Sequence, residues 1–259
     1  QVNHAATLRF GEASGAFCRP CASKFSGASQ RANAALRSGH SPSMIEYQAD
    51  HVLGADGVNS IVRKKLAAPF TRAQLSVAAG FFVHGLSSSA IAIKSMSEQP
   101  GYLWSFPRRD HLAIGICAPA AHGTTSPGLR AQALSWIQQH ALDGGTTLTP
   151  YAWPIPSAGS EDARQLPASG PGWLLLGDAA GLVDPLTREG IYYALLSGLW
   201  AADALAGSVS RAAAIYAERL RTDVQPELAR AARLSRLFFN PTFSALFVAA
   251  LRQSAGIQD

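Results

Sequence analysis

The sequence predicts an α/β (α+β) fold in which one domain is interrupted by another, and three observations predict it. Residues 47–53 form a short strand pattern that runs directly into Gly54-Ala55-Asp56-Gly57-Val58-Asn59-Ser60, so a strand, a glycine turn and a helix start meet there. Four short segments rich in β-branched and aromatic residues follow, separated by Ser, Gly, Pro or Arg-Asp turns, the pattern of an antiparallel meander. Trp173-Leu174-Leu175-Leu176 is then a continuous apolar run of strand length, as strands buried on both faces are in α/β folds, and helical patterns follow it.

The elements read as follows. Residues 1–43 are Ala, Ser, Gly and Arg with few large apolar side chains, and helical periodicity is faint over 28–36. One or two helical turns over 61–66 carry Arg63, Lys64 and Lys65. The sheet segments are 75–83, 90–96, 101–107 and 111–118. An amphipathic helix is expected over 129–142, with Leu129, Ala133, Trp136, Ile137 and His140 near one face. Residues 151–156 are extended, and Pro154 and Pro156 confine them to an edge or a crossover. After Pro185 a helix is expected over 189–205, with Ile191, Ala194, Leu195, Gly198 and Leu199 as its buried stripe. Helices over 210–223 and 226–239 follow, and Asn240-Pro241 breaks the last before a final short helix.

The chain has 259 residues, 47% hydrophobic, 15% charged and 8% aromatic, which excludes disorder and fibrous repeats. A chain of this length buries roughly 70 to 75% of its unfolded surface, so it needs neither disulfides nor metals for stability. Its 3 cysteines are odd in number and sparse, which favours a reducing, cytoplasmic setting over a secreted disulfide framework. The 22 basic and 17 acidic residues leave a net charge of +5, but they are scattered and no RNA- or DNA-binding signature accompanies them, so nucleic acid is not an expected partner. No apolar run approaches the roughly 18 to 20 residues that span a bilayer. The opening at Gln1 has no charged n-region with an apolar core, so it reads as a cut end and the chain as a fragment.

Two constellations carry chemistry. In Gly177-Asp178-Ala179-Ala180-Gly181-Leu182-Val183-Asp184-Pro185, a buried strand delivers a carboxylate where open α/β sheets bind ligands, beyond the strand ends. Asp178 can accept from sugar-like hydroxyls, and Ala179, Ala180 and Gly181 let an extended ligand approach the backbone. The helix expected from Arg188-Glu189-Gly190-Ile191 points free N–H groups at whatever lies against Pro185, which favours an anion. An Asp capping an ordinary connection is the bland alternative. The second constellation is Asp56-Gly57 with Arg63 one turn into the following helix, where a guanidinium can hold a carboxylate or phosphate. An ordinary Asp-Gly turn is its alternative.

Together these residues resemble the "DG" and later "GD" motifs of flavoproteins of the para-hydroxybenzoate hydroxylase type. Within that group, Tyr102-Leu103-Trp104-Ser105-Phe106-Pro107 resembles the YxWxFP signature of geranylgeranyl reductases. The resemblance covers roughly residues 52–205 and implies a Rossmann-like FAD-binding domain interrupted by an antiparallel substrate-domain sheet, with C-terminal helices. Residues 1–66 would be the remainder of the FAD-binding domain, 67–156 the substrate domain, 157–208 the returning FAD-binding domain and 209–259 a helical region. It implies FAD as cofactor, with NADPH or another reductant as electron donor, and reduction of the double bonds of a polyprenyl chain. Asp178 would bond the ribityl chain, and Gly177 would belong to the same cofactor site. Ala179, Ala180, Gly181, Pro185, Arg188, Gly190 and Ile191 would cradle the pyrophosphate and the flavin edge, and Asp56, Gly57 and Arg63 would help hold the FAD region. Tyr102, Trp104, Phe106 and Pro107 would wall the isoprenoid chain, and alternation along one strand puts their three rings on one surface.

The sequence departs from that family's pattern in three places. Gly115 is followed by Ile116 and Cys117, so the second glycine of a Gly-x-Gly is missing. No G-x-G-x-x-G occurs anywhere, so the N-terminal dinucleotide unit is expected to be absent. Arg188 stands where many relatives have Gly. Cys18-Arg19-Pro20-Cys21 lacks the context of a redox dithiol or a zinc site and reads as accidental, the histidines show no paired metal spacing, and no metal site is expected. Arg219, Arg221, Arg230, Arg233 and Arg236 alternate with Leu and Ala before Leu237-Phe238-Phe239, giving either a solvated helix face or a peripheral contact with an anionic bilayer. The alternatives to the reductase are a flavin-dependent monooxygenase or halogenase acting on an aromatic substrate, and a truncated chain that binds no flavin. The catalytic acid and the oligomeric state are not legible.

Overall fold

The computed structural model describes residues 6–10, 45–96, 99–121, 123–144 and 147–253. Cys18, Cys21 and the faint periodicity of 28–36 lie outside the described residues. The segment expected as one strand over 47–53 is two. β1 (Ala6–Phe10) and β2 (Ile45–Ala49) form an antiparallel pair, the chain bends at Asp50-His51, and β3 (Val52–Gly54) joins a different sheet. The change of sheet is secured by the Val52 N–H, which donates to the Gly172 carbonyl at 2.9 Å. α1 (Ile61–Leu66) follows with the Ser60 hydroxyl as its N-cap, accepting from the Arg63 N–H at 2.9 Å.

The large sheet contains β4 (Leu75–His84), β5 (Ala92–Ser95), β6 (Tyr102–Pro107), β7 (His111–Pro119) and β8 (Thr147–Pro156), in the order β5-β6-β7-β4-β8 with every described pair antiparallel. The simple meander expected from the sequence holds only for β5, β6 and β7. β4 instead lies between β7 and β8, because α2 (Ser126–Gln139) crosses one face and returns the chain beyond β4. The covered face supplies the burial: Leu129, Ala133 and Ile137 of α2 pack under Leu103, Leu112, Ala79, Val83, Ile114 and Ile116 of the sheet. The helix starts earlier than its apolar periodicity suggested, since Thr125 caps it and Pro127 occupies its first turn. β8 is an edge strand, as its prolines require.

The chain then passes through α3 (Asp162–Gln165) and β9 (Ser169–Gly170) to β10 (Trp173–Leu175), which runs parallel to β3 with Leu175 opposite Gly54. α4 (Gly177–Ala180) is a single turn, and α5 (Ile191–Gly207), α6 (Ala212–Arg219), α7 (Gln225–Phe238) and α8 (Pro241–Gln253) complete the chain. A π-helical turn over Leu220–Val224 joins α6 to α7 immediately before Pro226, whose ring cannot fit into a regular α-turn. The Tyr216 hydroxyl donates to the Leu175 carbonyl at 2.7 Å and fastens α6 to the end of β10.

α5 corrects the expected stripe. Ile191, Leu195 and Leu199 are 76%, 67% and 65% exposed, while Tyr193, Ser197, Ala201 and Ala204 face the core. The helix is apolar around most of its circumference, so periodicity does not choose its inner face. Close approach chooses it. The Gly177 N–H donates to the Ser197 hydroxyl at 3.0 Å, and a Cβ on Gly177 would lie 2.9 Å from the Ala194 Cβ, so only small residues fit between α4 and α5.

Candidate active site

β10 ends at Leu175, and Gly177 turns the chain into α4 with φ +51°, a left-handed conformation that a Cβ would strain. That turn sets Asp178 on the open side of α4. Asp178 is not the cap of the connection: the N-cap position is Leu176 and no side chain caps the turn. Its half-buried carboxylate makes no hydrogen bond or ion pair among the described residues, and desolvation alone raises its pKa above the ordinary 3.8. It lines a cavity of about 290 Å³ with Ile155, Val183, Arg188, Gly190, Ile191 and Ala194. The cradle is close, since a Cβ on Gly190 would lie 3.0 Å from Asp178 Oδ1.

The loop from Asp184 to Gly190 closes one side of the cavity. Asp184 Oδ1 accepts from the Leu186 and Thr187 N–H groups, each at 2.8 Å, and Pro185 is buried behind it. Arg188 takes φ +63°, which explains why glycine suits this place and is a conformation that costs an L-residue about 1 kcal/mol. Its guanidinium turns toward the large sheet, donates to the Ser157 hydroxyl and reaches the Cys117 sulfur. The expected helix start at Arg188 moves to Ile191, because the left-handed Arg188 cannot sit in a right-handed helix, and the Glu189 carboxylate accepts from the Tyr192 N–H at 2.8 Å. One of the helix's free donors is thus already taken.

The other turn is brought beside the first, but through the backbone. Asp56 Oδ2 accepts from the Ile61 N–H at 2.7 Å and holds the start of α1, with Gly57 at φ +76° between them. Arg63 is 2% exposed, lies over the Phe70 ring at 4.0 Å, and donates to the carbonyls of Ala179 at 3.2 Å and Pro167 at 3.3 Å. Burial pulls its pKa down to about 10, which still leaves it charged at neutral pH. Its guanidinium therefore pins the Asp178 turn from behind and does not line the cavity.

The sheet face opposite α2 is an apolar trough. Register places Tyr102 opposite Cys117, Trp104 opposite Gly115 and Phe106 opposite Ala113, and across β4 it places Trp153 opposite Ala78 and Tyr151 opposite Gly80. Small residues on the two middle strands form the floor, and aromatic rings on β6 and β8 form the sides. Trp104 stacks on Phe106 at 6.0 Å and Tyr151 on Phe82 at 4.6 Å. A Cβ on Gly115 would collide with the Tyr151 hydroxyl and the Trp104 ring, so this glycine lets the two sides meet over the floor. The position of the missing second glycine is Cys117, buried beside Arg188. Pro107 ends β6 and is half-buried. The Tyr102 hydroxyl, pushed up to about 12 by burial, donates to the Thr187 carbonyl at 2.6 Å and joins the trough to the cavity loop.

Sequence reasoning missed Phe82, Tyr151 and Trp153, whose place depends on the long-range pairing of β4 with β8. Among the described residues no group of His, Cys, Asp and Glu is arranged to hold a metal.

A small parallel sheet with an acidic turn, interrupted by an antiparallel sheet, is a fold that this chain shares with solved flavin-dependent proteins. A geranylgeranyl bacteriochlorophyll reductase-like protein of Thermoplasma acidophilum superposes with a TM-score of 0.66 over 79% of this chain and 54% of its own, at 19% identity. Flavin-dependent monooxygenase and brominase structures align with lower TM-scores. No family model matches the chain. In sequence the chain is 26% identical over 208 residues to a digeranylgeranylglycerophospholipid reductase of Methanothrix thermoacetophila, covering 75% of this chain and 52% of that protein. It is 28% identical over 211 residues to the chloroplastic geranylgeranyl diphosphate reductase of Oryza sativa, covering 78% of this chain and 42% of that protein. The chain is thus similar in sequence to geranylgeranyl reductases. It spans about half the length of the curated relatives it matches.

Proposed function

We propose that the chain carries the cofactor and substrate sites of an FAD-dependent reductase that saturates double bonds of a polyprenyl chain. The observation that carries this reading is the unpartnered Asp178 carboxylate on a cavity whose loop is tied, through the Tyr102–Thr187 hydrogen bond, to an aromatic trough. A carboxylate left without a donor in a half-buried site is a cost that a ligand's hydroxyl groups offset. The cavity residues fit FAD: Asp178 would accept from the ribityl hydroxyls, Ala179, Ala180 and Gly181 would give the backbone access, and Arg188, Gly190 and Ile191 would flank the flavin edge. Bound FAD, once reduced by NADPH or another reductant, would supply the hydride that, with a proton, saturates the double bond and leaves the flavin oxidised. The chain's own residues exclude water and hold the isoprenoid chain along Tyr102, Trp104, Phe106 and Pro107. Asp56, Gly57 and Arg63 act behind the cofactor by fixing the turns that shape its slot. Residues 67–156 are the substrate domain on this reading, and residues 1–66, 157–208 and 209–259 take the assignments given above. Contact with a lipid surface belongs to the same reading, because the substrates named for the relatives include phospholipids.

Incubation with FAD tests it: absorbance between about 350 and 500 nm remains with the protein after gel filtration. A colourless protein contradicts the reading and favours a chain that acts only through its surfaces. With flavin bound, Trp104→Ala removes one side of the trough, and the loss of the half-buried indole's contact with the substrate, about 3 kcal/mol, raises KM for a prenyl substrate by about a hundredfold with a smaller change in kcat. Turnover of an aromatic substrate that consumes oxygen would favour the monooxygenase alternative instead.

A further inference from the structure

We infer that the exposed side of α7 and α8, together with strand β5, is a docking face for an anionic lipid bilayer, placed so that a prenyl lipid reaches the aromatic trough from the membrane. The inference rests on the prenyl-reductase reading and adds the surface through which the substrate arrives.

The first observation is apolar exposure concentrated on three adjoining elements. On α8, Leu246 is 66% exposed and its neighbours Phe247 and Val248 also face solvent, while on β5 Ile93 is 66% exposed beside an equally open Ile91. On α7, Leu234 and Leu237 are exposed one turn apart. The elements are joined directly, since the Ser95 hydroxyl donates to the Ser244 hydroxyl at 3.3 Å. Contiguous exposed leucine, isoleucine and phenylalanine are unusual on a surface that meets only water.

The second observation is the sign of the charge around them. Residues 228–253 carry Arg230, Arg233, Arg236 and Arg252 and no Asp or Glu, and β5 adds Lys94. Arg230, Arg233, Leu234 and Leu237 fall at the i, i+3, i+4 and i+7 positions of one helix face, so cationic and apolar groups share the exposed side of α7. Basic side chains interleaved with buried-type apolar ones, without acidic partners, complement anionic headgroups over an acyl layer, and two such signals together give stable attachment. A second copy of this chain would bring the same positive charge against itself.

The third observation is continuity with the trough. Phe239, at the α7–α8 junction, stacks on Tyr102 with ring centroids 6.4 Å apart and the planes nearly parallel. Ile93 lies directly opposite Trp104 in the β5–β6 register. The exposed rim thus abuts the first rings of the trough, and a chain leaving the bilayer meets apolar surface at each step. No described helix is long and apolar enough to cross the membrane, so the contact is peripheral.

Co-sedimentation with vesicles tests the assignment. The protein, loaded with FAD, is expected to pellet with vesicles of phosphatidylglycerol and phosphatidylcholine and to remain in solution with phosphatidylcholine alone. Leu246→Glu with Phe247→Glu, and separately Arg230→Glu with Arg233→Glu, each lower the bound fraction at least tenfold, as does salt of about 0.5 M. Leu199→Glu, an equally exposed leucine of α5, leaves binding unchanged. All of these side chains are exposed, and far-ultraviolet circular dichroism confirms that the variants fold. Absence of vesicle binding, equal binding to neutral vesicles, or an equal loss with Leu199→Glu overturns the proposal. So does a concentration-dependent dimer that Leu246→Glu abolishes, which would assign the face to a second copy. Flavin absorbance is read in the same samples. Vesicle binding by a colourless protein would sink the flavin reading and leave the docking face, whereas yellow protein that ignores vesicles would do the reverse.

Discussion

Asp178→Asn is expected to weaken FAD binding by about tenfold to a hundredfold while raising the melting temperature of the cofactor-free protein at neutral pH. The first effect follows from replacing a charged acceptor by an amide at the proposed site of the ribityl hydroxyls, since a hydrogen bond to a charged group contributes about 1.5 to 3 kcal/mol. The second follows from the direction of the Asp178 pKa. Desolvation raises it in the folded chain above the ordinary 3.8. A carboxyl whose folded pKa is raised favours folding fully at low pH, and that contribution is lost as pH climbs through the folded value. At neutral pH the ionised group therefore burdens the empty fold, and the neutral amide relieves it. Below the ordinary carboxyl pKa the variant and the parent melt together. Fluorescence titration with FAD and melting curves at acidic and neutral pH read both effects. A variant that binds FAD like the parent would remove the carboxylate from the cofactor site.

Arg63→Met is expected to lower stability by about 3 kcal/mol, because the buried Ala179 carbonyl and the more open Pro167 carbonyl lose a charged donor and the slot over Phe70 is refilled imperfectly. For a chain of this size that corresponds to a melting temperature lower by about 6 to 12 °C. The carbonyl of Ala179 lies on α4, so the same change loosens the turn that presents Asp178, and FAD binding weakens with stability. Both bonds come from the one nitrogen Nη1, so Arg63→Lys restores the charge and a donor but not the planar group that lies over Phe70, and it recovers only part of the loss. Thermal unfolding followed by near-ultraviolet circular dichroism measures it. An Arg63→Met protein that melts with the parent yet no longer binds FAD would show that the guanidinium contacts the cofactor directly.

The two arginines show where sequence reasoning ran out. That Arg63 belongs with the Asp56-Gly57 turn was legible from its place one helical turn after it. Its direction was not, because the Pro167 and Ala179 carbonyls that receive it are more than a hundred residues away. Asp178 was legible because the buried run before it has one plausible strand direction and ends in a residue that must face the crevice. Arg188 was read as a departure at a glycine position, and its left-handed backbone supplies the reason. The face of α5 was misread because Ile191, Leu195 and Leu199 look like a core stripe, whereas the contact with Gly177 demands serine and alanine. The β6 rings followed from alternation within one strand, but the β8 side of the trough required knowing that β4 pairs with β8 across an intervening helix.

The most direct measurement is a crystal structure of the protein with FAD. The account predicts a ribityl hydroxyl about 3 Å from the Asp178 carboxylate, with the flavin edge against Arg188, Gly190 and Ile191 and its face toward Tyr102 and Trp104. FAD seated elsewhere, or a complex in which protein donors have closed over Asp178 and no cofactor occupies its cavity, would contradict it.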